Sequence, residues 1–125
     1  MNWTILSISP HSATQITRNL ILERAGYRVI AAGDLKEAVQ RVKQTNVDAV
    51  VLADSMSAEY REQLGTTLKQ LKPAVPIVML CKMSDPRSLR QVADEQVELD
   101  EGPQSLLDAL ARVLQHDQKD GGEHA

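Results

Sequence analysis

The sequence predicts an α/β domain in which a parallel β-sheet lies between two layers of helices. Short aliphatic runs alternate along the chain with longer segments whose apolar residues recur at helical spacing. The run Ala49-Val50-Val51-Leu52 contains no polar residue, which is typical of a strand buried on both faces of a parallel sheet. Helices that connect parallel strands produce a doubly wound arrangement of three layers.

Five strand–helix units account for most of the chain. We predict strands at residues 4–8, 28–31, 49–53, 77–80 and 96–99. We predict that residues 1–116 form one domain. The polar segment 117–125, which lacks periodicity, is predicted to be a flexible tail.

Capping signatures predict where the first two helices begin. Ser12 followed by Gln15 is a plausible capping box for the first helix. Asp34 followed by Glu37 is the same kind of signal for the second. The apolar residues that mark these helices are Ile16, Leu20 and Leu22 in the first, and Leu35, Ala38, Val39 and Val42 in the second.

Proline positions bound the other three helices. The third carries Leu64, Leu68 and Leu71 and ends before Pro73. Asp85 followed by proline predicts an N-cap and first turn of a short fourth helix that extends to about residue 92. The Gly-Pro pair at residues 102–103 begins the fifth helix, whose apolar face is Leu106, Leu107, Leu110, Val113 and Leu114.

Composition excludes several classes of partner. The formal net charge of −3 gives no basic field for nucleic acid or anionic lipid, and aromatic residues make up only 2% of the chain. The single cysteine, Cys81, excludes an internal disulfide and fits a reducing compartment. The N-terminus has no signal-peptide pattern, and no apolar run is long enough to span a bilayer. We therefore expect a cytoplasmic protein that binds neither nucleic acid nor membrane.

Two short stretches resemble a known family. Residues 5–10 read ILSISP and residues 22–27 read LERAGY. They resemble the opening of response-regulator receiver domains, where a strand of the type ILVVDD leads to a helix ending in LLxxxGY. The similarity continues without a gap to Leu52 and extends to about Leu114. It implies a flavodoxin-like (βα)5 fold with strand order 2-1-3-4-5.

The phosphorylation chemistry of that family depends on charged side chains at the carboxyl ends of the strands. Receivers use an acidic pair, an acceptor Asp, a Thr or Ser, and a Lys to hold Mg²⁺ and a phosphoryl group. The corresponding positions here are Ser9 and Pro10 for the pair, Ala53 for the acceptor, Cys81 for the Thr or Ser, and Leu99 for the Lys. We therefore expect no Mg²⁺, no cofactor and no enzymatic activity.

The resemblance, with this site altered, implies a pseudo-receiver: a phosphorylation-independent protein-interaction module in bacterial signal transduction. Its partner is an unidentified protein or a second copy of the chain. Receivers commonly pair through the face of helix 4, strand 5 and helix 5. Charged residues near that face are Arg87, Arg90, Asp94, Glu95, Asp108 and Arg112.

Two alternatives remain open. Asp54 directly follows the acceptor position and could serve as the phosphoacceptor of a two-component phosphorelay if the register slipped by one residue. Cys81 and Arg87 match the C-x5-R spacing of cysteine phosphatases, in which a thiolate attacks phosphate and arginine clamps it. The loop between them lacks glycine and contains Asp85 and Pro86, which argues against phosphate binding.

Overall fold

The structure is a computed structural model that describes residues 3–82, 85–86, 91–98 and 102–123. Its five strands form one sheet in the order β2-β1-β3-β4-β5, and every neighbouring pair is parallel. The strands are β1 Thr4–Ile8, β2 Arg28–Ala32, β3 Ala49–Leu52, β4 Ile77–Cys81 and β5 Glu95–Glu98. The predicted fold class and strand order are confirmed.

Four helices are described, and they are α1 Ser12–Arg24, α2 Leu35–Gln44, α3 Ala58–Leu71 and α4 Pro103–Glu123. The fourth helix of the prediction falls mainly on residues 87–90, outside the described residues, so α4 is the helix predicted as the fifth. It includes residues 117–123 of the predicted tail, whose flexibility stays a prediction. No helix in the described part of the chain is both long and apolar enough to cross a membrane.

The central strands are buried along their whole length, as their apolar sequences predict. Every residue of β1, β3 and β4 is buried, whereas the edge strands β2 and β5 are partly exposed. Ile8 at the end of β1 lies opposite Ala32 on one side and Leu52 on the other. The carboxyl ends of these three strands therefore meet at one edge of the sheet.

Two apolar clusters fill the spaces on either side of the sheet, because successive strand residues point to opposite faces. Val50 and Leu52 pack with residues of α2 and α3. Ala49 and Val51 pack on the other side with residues of α1 and α4. Leu22, Leu106, Leu110 and Leu114 complete this second cluster.

The start of α1 differs from the prediction. The N-cap residue is His11, which makes no side-chain capping bond. Gln15 is buried and its amide Nε2 donates to the carbonyl oxygens of Ser7, at 2.8 Å, and Ala32, at 3.2 Å. The predicted capping box is therefore wrong, because the Gln15 amide instead joins β1 to β2.

Only part of the predicted apolar face of α1 packs against the core. Ile16 is 61% exposed and Leu20 is 49% exposed, whereas Leu22 is fully buried. The helical spacing of Ile16 and Leu20 is real, but it belongs to the solvent-facing side of the helix. This places two large apolar side chains on the surface.

The other helix ends follow local chemistry. The carboxylate of Asp34 accepts from the N–H of Glu37 at 2.8 Å, which confirms the predicted cap of α2. The hydroxyl of Ser57 accepts from the N–H of Tyr60 at 3.2 Å and caps α3. Helix α1 ends at Arg24, and Gly26, just after the C-cap residue Ala25, has a φ of 100° that allows the left-handed turn closing the helix.

Candidate functional site

Three of the residues singled out in the sequence meet at the carboxyl edge of the sheet. The N–H of Ser9 donates to the carbonyl oxygen of Ala32, and the N–H of Ala53 donates to that of Ile8, both at 3.0 Å. Cys81 is the last residue of β4. All three are buried, at 2%, 1% and 5% exposure respectively. Ligands of open parallel sheets bind at this edge, so these positions are the natural candidates for a site.

The oxygen of Ser9 is already used by the turn into α1. Its Oγ accepts from the N–H of His11 at 3.2 Å and donates to the His11 carbonyl oxygen at 3.4 Å. Pro10 is exposed and has no side-chain donor or acceptor. The two positions that correspond to the acidic pair of receivers thus form a tight connection to α1.

A hexacoordinate Mg²⁺ ion does not fit the residues present at this edge. Mg²⁺ requires carboxylates or similarly hard oxygen ligands, and Ala53 has no side-chain oxygen. Among the described residues, no group of three or more His, Cys, Asp or Glu side chains is placed to hold a metal ion. Leu99, the position of the family's lysine, lies outside the described residues.

Cys81 lies in a buried, apolar setting that disfavours a thiolate. Its thiol donates to the carbonyl oxygen of Met79, with a sulfur–oxygen distance of 3.7 Å. Arg87, its partner in the phosphatase alternative, lies outside the described residues. A catalytic thiolate needs a partly exposed, electropositive setting, and Cys81 is buried in the apolar cluster of α2 and α3. The phosphatase alternative therefore gains no support.

Asp54 is the carboxylate nearest in sequence to the acceptor position, and it is partly exposed. Its charge acts on Arg18 of α1. Burial lowers the pKa of the Arg18 guanidinium, and the nearby Asp54 carboxylate partly opposes that shift. Asp54 is thus placed toward α1, while Ala53 belongs to the apolar cluster of α2 and α3.

A buried arginine that is not among the predicted site residues lies beside this edge. Arg61 of α3 is only 1% exposed. Its Nε donates to the carbonyl oxygen of Met56 at 3.1 Å, and its Nη1 donates to that of Leu80 at 2.9 Å. The guanidinium therefore connects the loop before α3 to the end of β4.

The remaining hydrogen bonds of Arg61 go to Asp85. Nη1 and Nη2 donate to the two carboxylate oxygens of Asp85 at 2.9 and 2.7 Å. Asp85 also accepts from the N–H of Lys82 at 2.8 Å. The hydrogen bond from Arg61 is the main reason why the pKa of Asp85 lies below its ordinary value. The segment after β4 is thereby held against α3.

A sequence signal for Arg61 did exist. The buried residues of α3 are Arg61, Leu64, Gly65 and Leu68, which recur at the spacing of one helical face. A charged residue at a position on an apolar face must find a partner when it is buried. That pattern indicates a buried ion pair, although it does not identify Asp85.

Several of the charges assigned to the predicted dimer face have partners within the chain. Glu95 of β5 accepts from Arg112 of α4 at 2.8 Å. Asp94 pairs with Lys69 at 2.7 Å, and Asp108 accepts from Gln104 at 2.9 Å. Arg87 and Arg90 lie outside the described residues. Dimerisation through this face stays a prediction.

Comparisons with known proteins identify the fold. A scan against models of protein families gives no match, and neither does a sequence search of curated proteins. Solved structures do match. A response regulator of Chloroflexus aurantiacus is 22% identical, with a TM-score of 0.80, over 91% of this chain and 98% of that one.

Two further structures agree with the first. A response regulator receiver domain of Clostridium thermocellum is 18% identical, with a TM-score of 0.83, over 93% of this chain and 97% of that one. The response regulator TrrA of Thermotoga maritima, solved in complex with Mg²⁺-BeF, is 22% identical, with a TM-score of 0.79, over 90% of this chain and 99% of that one. The chain has the fold of response-regulator receiver domains, and function has to be argued from its own site.

Proposed function

We propose that this chain is a pseudo-receiver, a non-enzymatic protein-interaction module of bacterial two-component signalling that works without phosphorylation. The observation that carries this proposal is the combination of a receiver fold with a buried Ala53 at the acceptor position. A methyl group cannot form an acyl phosphate. The fold remains available as a scaffold for binding partners.

The neighbours of Ala53 support the same proposal. Phosphoryl transfer depends on cations that neutralise the charge developing on the transferred group. Ser9 uses its hydroxyl within the turn to His11, and Pro10 provides no charged group. The part of this edge that the structure describes therefore lacks the ligands that would bring Mg²⁺ and a phosphodonor together.

The ion pair of Arg61 and Asp85 connects the segment after β4 to α3. In receivers the residue after strand four contacts the phosphoryl group, so that loop responds to phosphorylation. Here Asp85 is held by a guanidinium of the chain itself. This contact of Asp85 does not depend on a phosphodonor.

An exposed apolar pair on α1 is the best candidate for the contact with a partner protein. Ile16 and Leu20 lie one helical turn apart, so their side chains are neighbours on the helix surface. Large apolar side chains that cluster on a surface mark interaction sites more often than isolated ones do. A homodimer through the β5 and α4 face is the second candidate, and a monomeric mass at micromolar concentration would argue against it.

The phosphoacceptor alternative provides the direct test, because Asp54 is partly exposed. The protein and its Asp54→Asn variant are incubated with Mg²⁺ and acetyl phosphate, and intact masses are recorded beside a working receiver. We expect no phosphoryl adduct on either form. An adduct that is absent from Asp54→Asn would replace this proposal with a phosphorelay function.

A further inference from the structure

A cleft of about 510 Å³ lies between α1 and the first turn of α4. Its floor is formed by Leu80 of β4 and Val97 of β5, and Ile21 and Leu106 contribute to its walls. Pockets of several hundred Å³ with mostly apolar walls are the usual sites for small molecules. The cleft lies on the α1 and α4 side of the sheet, away from the cluster that contains Ala53 and Cys81.

One charged side chain in this cleft has an unused hydrogen-bond donor. Arg18 lines the cleft, and its Nη1 is buried without a hydrogen-bond partner among the described residues. A buried donor without a partner is unfavourable, and more so when it carries charge. Burial also lowers the pKa of the Arg18 guanidinium, because it disfavours the charged form. A bound anion would remove that cost.

We infer that the cleft binds a small amphipathic monoanion, with its carboxylate on Arg18 and its apolar body against Ile21, Leu80, Val97 and Leu106. Glu98 also lines the cleft. The single positive charge of Arg18 matches a carboxylate better than a phosphate monoester, which carries about 1.5 to 2 negative charges at neutral pH. The inference goes beyond the proposed function, because it gives the domain a chemical input that a partner protein does not supply.

Asp54 is expected to weaken this binding. Its charge acts on Arg18 from the carboxyl edge of the sheet, so it competes with a ligand anion for the same guanidinium. The Asp54→Asn variant should therefore bind the anion more tightly than the native chain. This relationship connects the cleft to the edge at which receivers respond to their signal.

The probe for the test is 4-phenylbutyrate, and its matched control is 4-phenyl-1-butanol, which has the same body without the charge. Amide ¹H–¹⁵N spectra are recorded during titration with each compound. We expect shifts at Thr17, Ile21, Val97 and Leu106, and an affinity for the acid that is about 10-fold higher than for the alcohol, as charge-assisted hydrogen bonds allow. Shifts elsewhere, no shifts, or equal affinities would overturn the inference.

Variants show whether the higher affinity for the acid comes from Arg18 itself or from the net charge of the chain. Arg18→Met should remove the advantage of the acid over the alcohol. Arg28→Met, at an exposed position on β2, should leave that advantage unchanged. Ala13→Trp places a large side chain at a wall of the cleft and should abolish the binding of both compounds. Retention of the acid's advantage in Arg18→Met, or its loss in Arg28→Met, would contradict the site.

Discussion

Arg61 and Asp85 form the most buried ion pair in the described part of the chain, with an Nη2–Oδ1 distance of 2.7 Å. Their side chains are 1% and 12% exposed, whereas the other ion pairs lie near the surface. Exposed pairs contribute little to stability, but breaking a buried pair leaves a charge without compensation. The pair should therefore determine how the segment after β4 is held.

Removing the carboxylate should cost more than removing the guanidinium. Asp85→Asn leaves the charge of Arg61 buried, and we expect a loss of about 2–4 kcal/mol in the free energy of unfolding. In Arg61→Met, Asp85 keeps its contact with solvent, but the carbonyl oxygens of Met56 and Leu80 lose their donor. We expect a loss of about 1–3 kcal/mol in the free energy of unfolding. Urea unfolding measures both values.

The double variant is the matched control for this comparison. Once both charges are gone, no buried charge remains, so the double variant should lose less than the sum of the two single losses. Additive losses would show that the two side chains act separately. Lys69→Met, at an ion pair near the surface, should change stability by less than about 1 kcal/mol.

Acid should weaken the same contact. The pKa of Asp85 is lower in the folded chain than in the unfolded one, chiefly because of the hydrogen bond from Arg61. Its contribution to stability is complete above the unfolded pKa, about 3.9, and is lost as the pH falls through the lower folded value. The stability difference between the native chain and Asp85→Asn should therefore shrink between about pH 5 and pH 2. A constant difference would exclude Asp85 as the titrating group.

Gly65 permits a close contact between α3 and the segment that leads to β5. A Cβ atom at this position would lie 3.0 Å from Cβ of Val92 and 3.2 Å from its Cγ2. Gly65→Ala should destabilise the chain by about 1 kcal/mol, since overpacking outweighs the better helix propensity of alanine.

Shortening Val92 tests that explanation. In a Val92→Gly background both of these side-chain atoms are absent, so Gly65→Ala should become neutral or stabilise by up to about 1 kcal/mol. Thermal unfolding of the four forms gives the comparison. Equal effects of Gly65→Ala in both backgrounds would show that Val92 is not the limiting contact.

The strands could be predicted from sequence because burial on both faces leaves only apolar residues in β3 and β4, and mostly apolar residues in β1. The buried face of α1 could not. Ile16 and Leu20 have helical spacing, and so do the apolar residues on the opposite side, of which Leu22 is fully buried. Spacing establishes a helix, but it does not identify which face packs when both contain apolar residues.

Positions in the site were predictable, but its electrostatics were not. Ser9, Ala53 and Cys81 lie at one edge of the sheet, because all three are at or just after the ends of strands. Their correspondence to the phosphorylation site of receivers stays a prediction. The roles of Arg18 and Arg61 could not be predicted, because their acidic neighbours are distant in sequence. Only the packing of α1 and α3 on the sheet brings those charges together.

The most direct test of the pseudo-receiver proposal is an amide ¹H–¹⁵N spectrum recorded with Mg²⁺, before and after the addition of beryllofluoride. Beryllofluoride mimics a phosphoryl group on an aspartate. The proposal predicts no change at Ser9, Ala53 or Cys81, because the described residues of this edge include no carboxylate pair placed to hold the metal. Shifts centred on Asp54 that spread into the segment after β4 would contradict it and would show a working phosphorylation switch.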